Sequence, residues 1–454
     1  MSSAINNQNT GKTLTAAVAT LGCKVNQCES EGIIGELSAR GMTVVPFEQT
    51  ADIYIVNTCT VTKKTDYQSR QLIRRAIKSN PEANVIVTGC YAQRAPGEID
   101  AIAGVRSILG NTEKEWIPDI AAKSKTDEKE IIVGDIRKEK FISDLWANVF
   151  SEHTRAFLKI QDGCDAFCSY CIIPYTRGTS RSLPTEKIMK RLASLAANGY
   201  REIVLTGIHL GIWGNDLQPR DNLAALLKRI AEEQPVKRIR LSSIEPREIS
   251  QEIISLIKES DIFCRHLHIP LQNGSNKILK MMRRNYDTVF FRDLVTTVCE
   301  SIPGIAIGID VMAGFPGETD SDFAETSAML EELPIAYLHA FPFSIRPGTP
   351  AAKMDQQIPE NEKKGRVKRL REIGKTKQRK FAEKFIGKRI DILIEKRFDK
   401  NTGFPIGLSD NYIPIAVYGD DFKVNSIVSV IPESFSGERL IAKTYFHKEG
   451  FTQP

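Results

Sequence analysis

Three cysteines fall within one short stretch, Cys164, Cys168 and Cys171 in DGCDAFCSYCIIPYTRG, at a C-x3-C-x2-C spacing. The apolar run FLKI just before them reads as a strand, so a single loop presents all three sulfurs. Thiolates hold iron–sulfur clusters, and a cubane of four irons takes four ligands; three cysteines leave one iron open to a small molecule. A structural zinc site would want a fourth Cys or His to close its tetrahedron, and this spacing differs from the usual zinc spacings.

A second trio is scattered along the chain. Cys23, Cys59 and Cys90 each follow an apolar run, AAVATLG at 16–22, DIYIVNT at 52–58 and NVIVTG at 84–89. The carboxyl ends of parallel strands converge on one edge, the usual ligand crevice of an open sheet, so the three sulfurs can meet there around a second cluster. The competing reading is that cysteine is a small hydrophobe packed in a core, which accounts for one such placement better than for three. Cys28, Cys264 and Cys299 fit neither scheme and read as ordinary packed or surface thiols. His209, His266, His268 and His339 lie near strand ends, where satisfied core histidines are the commoner case.

The elements that must position these groups alternate. Strand-like runs in the first part are separated by helical ones, a segment from residue 29 ending at Gly41 and a basic one over 66–79 ending at Asn80-Pro81, which predicts a parallel α/β sheet. A polar stretch at 121–130 reads as a linker. Six strand–helix units then follow, FLKI, EIVLTGI, RIRLSSI, HLHIPL, IAIGIDVMAGF and YLHAFPF, and predict a partial (β/α)6 barrel. Its strand ends carry Thr206, Ser243, Glu245, Gln272 and Gly314, where a cofactor is expected. Short strands after residue 388, punctuated by Gly, Asn and Asp, predict a small antiparallel β-barrel. The domains expected are 14–130, 150–375 and 376–447.

Charge is uneven. The chain's formal net charge is +6, yet residues 362–389 alone hold thirteen Lys or Arg against three Glu, so the remainder is net acidic. A basic helix between two domains reads as a solvated face or as a grip on nucleic acid. The polar start MSSAINNQNTGKT lacks the basic head and apolar core of a secretory signal and reads as a disordered lead-in. No apolar run is long enough to span a bilayer, and nine cysteines in a reducing compartment favour metal chemistry over disulfides, so a cytoplasmic enzyme is expected.

Cys164, Cys168 and Cys171, with Tyr170 before the last, resemble the signature of radical S-adenosylmethionine enzymes. ATLGCKVNQCESE, IVNTCTVT, VTGCYAQ, CSYCIIPYTRGTSRS, HIPLQNGS, AGFPGET and FPFSIRPGTPA match landmarks of the methylthiotransferase family over residues 15–447. The resemblance implies an α/β chain with an N-terminal cluster domain, a radical barrel and a C-terminal TRAM-like RNA-binding barrel. It implies two 4Fe-4S clusters, one on each cysteine trio, and two molecules of S-adenosylmethionine, one a methyl donor and one a source of the 5'-deoxyadenosyl radical. Tyr170, Thr206, Ser243, Glu245, Gln272 and Gly314 are the expected contacts to S-adenosylmethionine. Expected partners are tRNA at its anticodon loop and a one-electron donor such as a flavodoxin or ferredoxin, with the chain a monomer or weak dimer. GCKVNQ at 22–27 and RGTSRS at 177–182 look like the branch acting on N6-threonylcarbamoyladenosine, although Cys28 stands where that branch usually has Tyr. Branches acting on N6-isopentenyladenosine or a ribosomal-protein aspartate are the alternatives, and a non-catalytic iron–sulfur RNA-binding protein is the rival of another class.

Overall fold

In the computed structural model, which describes residues 13–123, 129–150, 153–419 and 422–444, the contacts divide the chain into two units. One runs through Thr60 and takes Lys64–Ile136 and Ser143–Ala147; the other takes Val61–Lys63, Arg137–Ile142 and the chain from Asn148 onward. The polar lead-in, residues 124–128 of the expected linker and the expected end at 447 lie outside the described residues.

The first unit is built on six parallel strands, β1 (Thr15–Thr20), β2 (Thr43–Val44), β3 (Ile53–Thr58), β4 (Asn84–Gly89), β5 (Ser107–Leu109) and β6 (Glu130–Ile132), in the order β2-β1-β3-β4-β5-β6. Strand β3 is buried along its whole length, which is why DIYIVNT reads as a continuous apolar run rather than an alternation. Its residues divide between two cores. Tyr54 and Val56 pack with Val85, Val87 and Tyr91 on one face, while Ile53 and Ile55 pack with Ile86 and with Ile33 and Leu37 of the helix Lys24–Ala39 on the other. That helix begins five residues earlier than expected, directly after Cys23.

The second unit opens with β7 (Ala156–Lys159), a short antiparallel pair β8 (Gln161–Asp162) and β9 (Arg181–Ser182), and then β10 (Glu202–Thr206), β11 (Arg238–Leu241), β12 (His266–His268), β13 (Ala306–Ala313) and β14 (Tyr337–Pro342). Strands β7, β10 and β11 form one parallel triplet and β12, β13 and β14 another, joined by an isolated parallel bridge between Ser243 and His268. All six strands anticipated for the partial barrel are present, in chain order.

Five further strands, β15 (Ile390–Phe398), β16 (Pro405–Ser409), β17 (Pro414–Tyr418), β18 (Ile427–Ser436) and β19 (Arg439–Thr444), close into a barrel in the order β15-β16-β17-β19-β18. The sequence reading expected a purely antiparallel barrel, but β17 and β19 pair in parallel. A closed ring with an odd number of strands cannot alternate direction all the way round, so one parallel seam is forced. The helix Glu360–Glu383 runs unbroken across the expected boundary at 375/376. Its Phe381 and Ala382 share a core with Ile392, Ile415 and Val430 of the small barrel.

Candidate functional site

In the first unit the chain brings Cys23, Cys59 and Cys90 to neighbouring strand ends. Cys59 directly follows β3 and Cys90 directly follows β4, and the pairing of Thr58 with Gly89 makes these two cysteines the next residues in register. Cys23 is the N-cap of the helix that follows β1, the strand on the other side of β3. Gly22 makes this approach possible. Its φ is +103°, and a Cβ there would stand 2.8 Å from the Cys59 sulfur, so the backbone leading into Cys23 passes against Cys59 with no room for a side chain. Two asparagines pin the loop: Asn26 Nδ2 donates to Leu21 O (2.7 Å) and Thr58 O (3.1 Å), and Asn57 Nδ2 donates to Asn26 O (3.0 Å) and Ser30 Oγ (3.0 Å). Asn111 Nδ2 donates to Cys90 Sγ at 3.7 Å. Cys59 and Cys90 are buried while Cys23 is exposed, so the trio opens to solvent on the Cys23 side.

In the second unit Cys164, Cys168 and Cys171 share the loop between β8 and β9. Its stem is a buried ion pair, Arg177 Nη1 donating to Asp162 Oδ1 (2.9 Å) and Oδ2 (3.0 Å), closed by Cys164 N–H to Gly178 O (3.0 Å). Gly163, at φ +75°, passes so near Thr179 that a Cβ would lie 1.9 Å from its carbonyl oxygen. The far side of the loop is tied down through Ser169, whose N–H donates to Met282 O and whose carbonyl accepts from Ala351 N–H. Two cationic side chains reach the sulfurs. Arg284 Nη1 donates to Cys168 Sγ at 3.2 Å and the same guanidinium pairs with Glu245, while His209 Nδ1 lies 3.3 Å from Cys164 Sγ with its Nε2 against Glu248.

Electrostatics follows from burial and these partners. Burial pushes the Cys171 thiol up to about 12 and raises Cys168 as well, although Arg284 opposes the second shift. Burial also disfavours the His209 cation, but its hydrogen bonds with Cys164 and Glu248 prevail and raise the imidazole to about 10. Cys168 and Cys171 are thus held as thiols beside donors already aimed at sulfur, an arrangement suited to a metal that displaces the thiol protons.

Residues 15–110 match the model described as Uncharacterized protein family UPF0004, and residues 158–330 match the Radical SAM superfamily. The chain is 42% identical to a protein of Bacillus subtilis (strain 168) named Threonylcarbamoyladenosine tRNA methylthiotransferase MtaB, over 92% of this chain and 93% of that one. It is 39% identical to the Aquifex aeolicus protein of the same name, over 88% and 96%. The chain belongs to the radical S-adenosylmethionine tRNA methylthiotransferases. It is also 32% identical to a tRNA-2-methylthio-N(6)-dimethylallyladenosine synthase of Clostridium tetani, over 92% and 93%. The fold resembles that of TsrM from Kitasatospora setae, a radical S-adenosylmethionine methyltransferase, with a TM-score of 0.55 at 15% identity over 75% of this chain and 77% of that one. The protein is thus a transferase that uses a 4Fe-4S cluster and S-adenosylmethionine on tRNA, and none of its described helices is long and apolar enough to cross a membrane.

The strand-end residues expected to meet S-adenosylmethionine have different surroundings in the methylthiotransferase. Ser243 is exposed beside β12, and Thr206 is buried at the last position of β10. Glu245 is engaged by Arg284, which ties it to the cysteine loop. Gln272 has φ +67° and a buried Oε1 without a hydrogen-bond partner among the described residues. Tyr170 packs, partly buried, against the core cluster that contains Ile278, Met282 and Phe315, and burial raises its hydroxyl far above the usual tyrosine range. Gly314 is filled from outside, since a Cβ there would meet Lys363 Cγ at 2.3 Å, and its N–H donates to Glu318. Cys28 and Cys264 are buried, and Cys299 donates to Pro334 O. The sequence reading missed Arg284, Glu248, Asn26 and Asn57, and it took His209 for a core histidine. The position of His209, three residues past the end of β10, is the one signal that could have marked it.

Proposed function

We propose that this methylthiotransferase converts N6-threonylcarbamoyladenosine at position 37, in the tRNA anticodon loop, to its 2-methylthio derivative. The observation that carries the reading is graded similarity. Relatives named for the threonylcarbamoyl substrate are 42% and 39% identical over nearly the whole chain, whereas the relative named for the dimethylallyl substrate is 32% identical. An anticodon-loop base can be splayed from its stack, which a base inside an A-form helix cannot.

Two clusters are proposed, one held by Cys164, Cys168 and Cys171 and one by Cys23, Cys59 and Cys90. Each donor set fits: three soft sulfurs from neighbouring strand ends in the first unit and from a single loop in the second, with glycine clearing the approach in both. Held by Cys164, Cys168 and Cys171, a cluster would supply the electron that cleaves S-adenosylmethionine, and one held by Cys23, Cys59 and Cys90 would supply the place for sulfur. The chain's own residues do the positioning. Arg177 and Asp162 fix the stem of the barrel loop, Arg284 and His209 hold the sulfurs by hydrogen bonds, and Asn26 and Asn57 hold the Cys23 loop against the end of β3. S-adenosylmethionine is assigned to the neighbourhood of Thr206, Ser243, Glu245 and Gln272. A flavodoxin or ferredoxin serves as reductant to a cytoplasmic, monomeric or weakly dimeric enzyme. Nucleoside mass spectrometry of tRNA from cells with and without the gene tests the substrate: 2-methylthio-N6-threonylcarbamoyladenosine should disappear, and loss of the isopentenyl-derived nucleoside instead would assign the other branch.

A further inference from the structure

The concave side of the partial barrel carries a group of side chains that the cluster chemistry leaves unused. Leu338 of β14 faces the helix Glu360–Glu383, where a Cβ on Gly374 would meet it at 3.0 Å. Strand alternation therefore turns Tyr337 and His339 inward. Toward the start of β12 the inner face meets a ring from the small barrel: Tyr412 lies 4.5 Å from His266 and 5.6 Å from Tyr337, ring to ring, with the Arg240 guanidinium of β11 at 5.1 Å from the same ring. Two residues further along β12 from His266 stands His268, grouped with Asp310 and His339, and the ligand atoms of the three all lie within 4.8 Å of one another.

The trio is built rather than incidental. His268 is fixed at both nitrogens, Nδ1 at 3.2 Å from Tyr337 Oη and Nε2 at 3.1 Å from Asp310 Oδ2. His339 Nδ1 lies 3.4 Å from Asp310 Oδ1. Burial would raise the Asp310 carboxyl, but the two imidazoles draw it well below the usual carboxylate range, so it stands ionised as an acceptor without a proton to give. The His339 side chain is 63% exposed, and its Nε2 has no hydrogen-bond partner among the described residues. One residue of the same wall adds an unmet need: Gln272, whose N–H donates to Asp310 O, carries the buried, unpartnered Oε1. A histidine serving only the core would be covered, and His339 is open.

Asp310 sits about 10 Å below the carboxyl end of β13, counted as three strand residues. A base entering at that end, where the Cys164–Cys171 loop lies, reaches this depth with an extended N6 arm. The arm must offer N–H or O–H donors to Asp310 and an acceptor to His339. A urea that carries a hydroxy amino acid offers both; an isopentenyl group offers neither and would strip water from a carboxylate without replacing it.

We propose that His268, Asp310 and His339 form the subsite that holds the polar N6 substituent of the target adenosine, with Asp310 accepting from its urea N–H or hydroxyl and His339, as the imidazolium that keeps its Nδ1–H on Asp310, donating from Nε2 to its carboxylate. This rests on the threonylcarbamoyl reading above and names the residues that enforce it.

The test uses the full chain with both clusters reconstituted and one tRNA in three forms, bearing threonylcarbamoyladenosine, isopentenyladenosine or plain adenosine at position 37. For His339→Ala and Asp310→Asn, KM for the threonylcarbamoyl form should rise about 10- to 100-fold, the range for one lost charged hydrogen bond, with kcat at saturating tRNA much less affected. His339→Gln should recover part of the loss, since it restores a hydrogen-bonding group at that place. Wild-type KM in both variants would overturn the subsite. So would a fall in 5'-deoxyadenosine formation without tRNA that matches the fall in product, which would put the trio on the cofactor. Failure of the underlying reading shows separately: wild-type enzyme preferring the isopentenyl form decides that without any variant.

Discussion

A thiol pushed up by burial is a poor metal ligand until the metal arrives, and Cys168 and Cys171 are held in that condition. For the Cys171 and Cys264 thiols, both raised to about 12, the thiolate fraction at pH 8 is on the order of one in ten thousand. Iodoacetamide added to iron-free protein at pH 8 is therefore expected to label the exposed Cys23 long before Cys171 or Cys264. Peptide mass spectrometry reads the order, and early labelling of Cys171 would contradict the burial argument. Gly163 offers a test of the loop itself. Gly163→Ala incurs about 1–2 kcal/mol from a left-handed backbone alone, before its methyl meets the Thr179 carbonyl. Iron content of the reconstituted variant should fall from about eight toward about four per chain as the barrel loop opens. A full complement of iron in this variant would show that the close approach is not needed for loading.

At the scale of elements, the basic segment turns out to be divided between structure and surface. Lys363 and Arg366 are buried, the latter paired with Glu318, Asp320 and Glu362, while Lys375 pairs with Glu438 and Arg379 with Glu383. Lys364, Lys368 and Lys380 are exposed and have no ion-pair partner among the described residues. If this face grips tRNA phosphates, changing these three to Glu lowers affinity, and the slope of log affinity against log salt flattens by about 2–3. An unchanged slope assigns the phosphate contacts to another surface. The same helix shows what a sequence can and cannot disclose. Its charge and length are written locally, and so are the six strands of the partial barrel, each an apolar run bounded by Gly, Pro or polar residues. Strands β2, β5 and β6 span only two or three residues each, too short for any periodicity to register, so half of the first sheet was missed. The parallel seam of the small barrel depends on how five strands close, which no strand carries alone. Cysteine placement was legible because each trio is local or tied to strand ends; Arg284, at 116 residues from Cys168, and the His268–Asp310–His339 group exist only once the chain has folded.

For the whole molecule, the two cysteine trios belong to different units, and that separates their failures. Each loop is anchored by its own contacts: Asn26 and Asn57 for the first, Arg177, Asp162 and Ser169 for the second. Cys59→Ala should therefore lose about four irons per chain and leave the barrel cluster visible by electron paramagnetic resonance. On the proposed assignment, cleavage of S-adenosylmethionine remains measurable in that variant, because its electron would enter through Cys164, Cys168 and Cys171. On the same assignment methylthiolated tRNA should vanish, since Cys23, Cys59 and Cys90 would no longer hold the sulfur that must meet the substrate carbon. Cys168→Ala gives the complementary result: about four irons remain, yet neither 5'-deoxyadenosine nor product forms. Quantifying iron, 5'-deoxyadenosine and modified nucleoside together in both variants distinguishes this from a single shared centre. With one centre, either change would abolish all three signals in step; with two, the Cys59 variant alone shows 5'-deoxyadenosine without product.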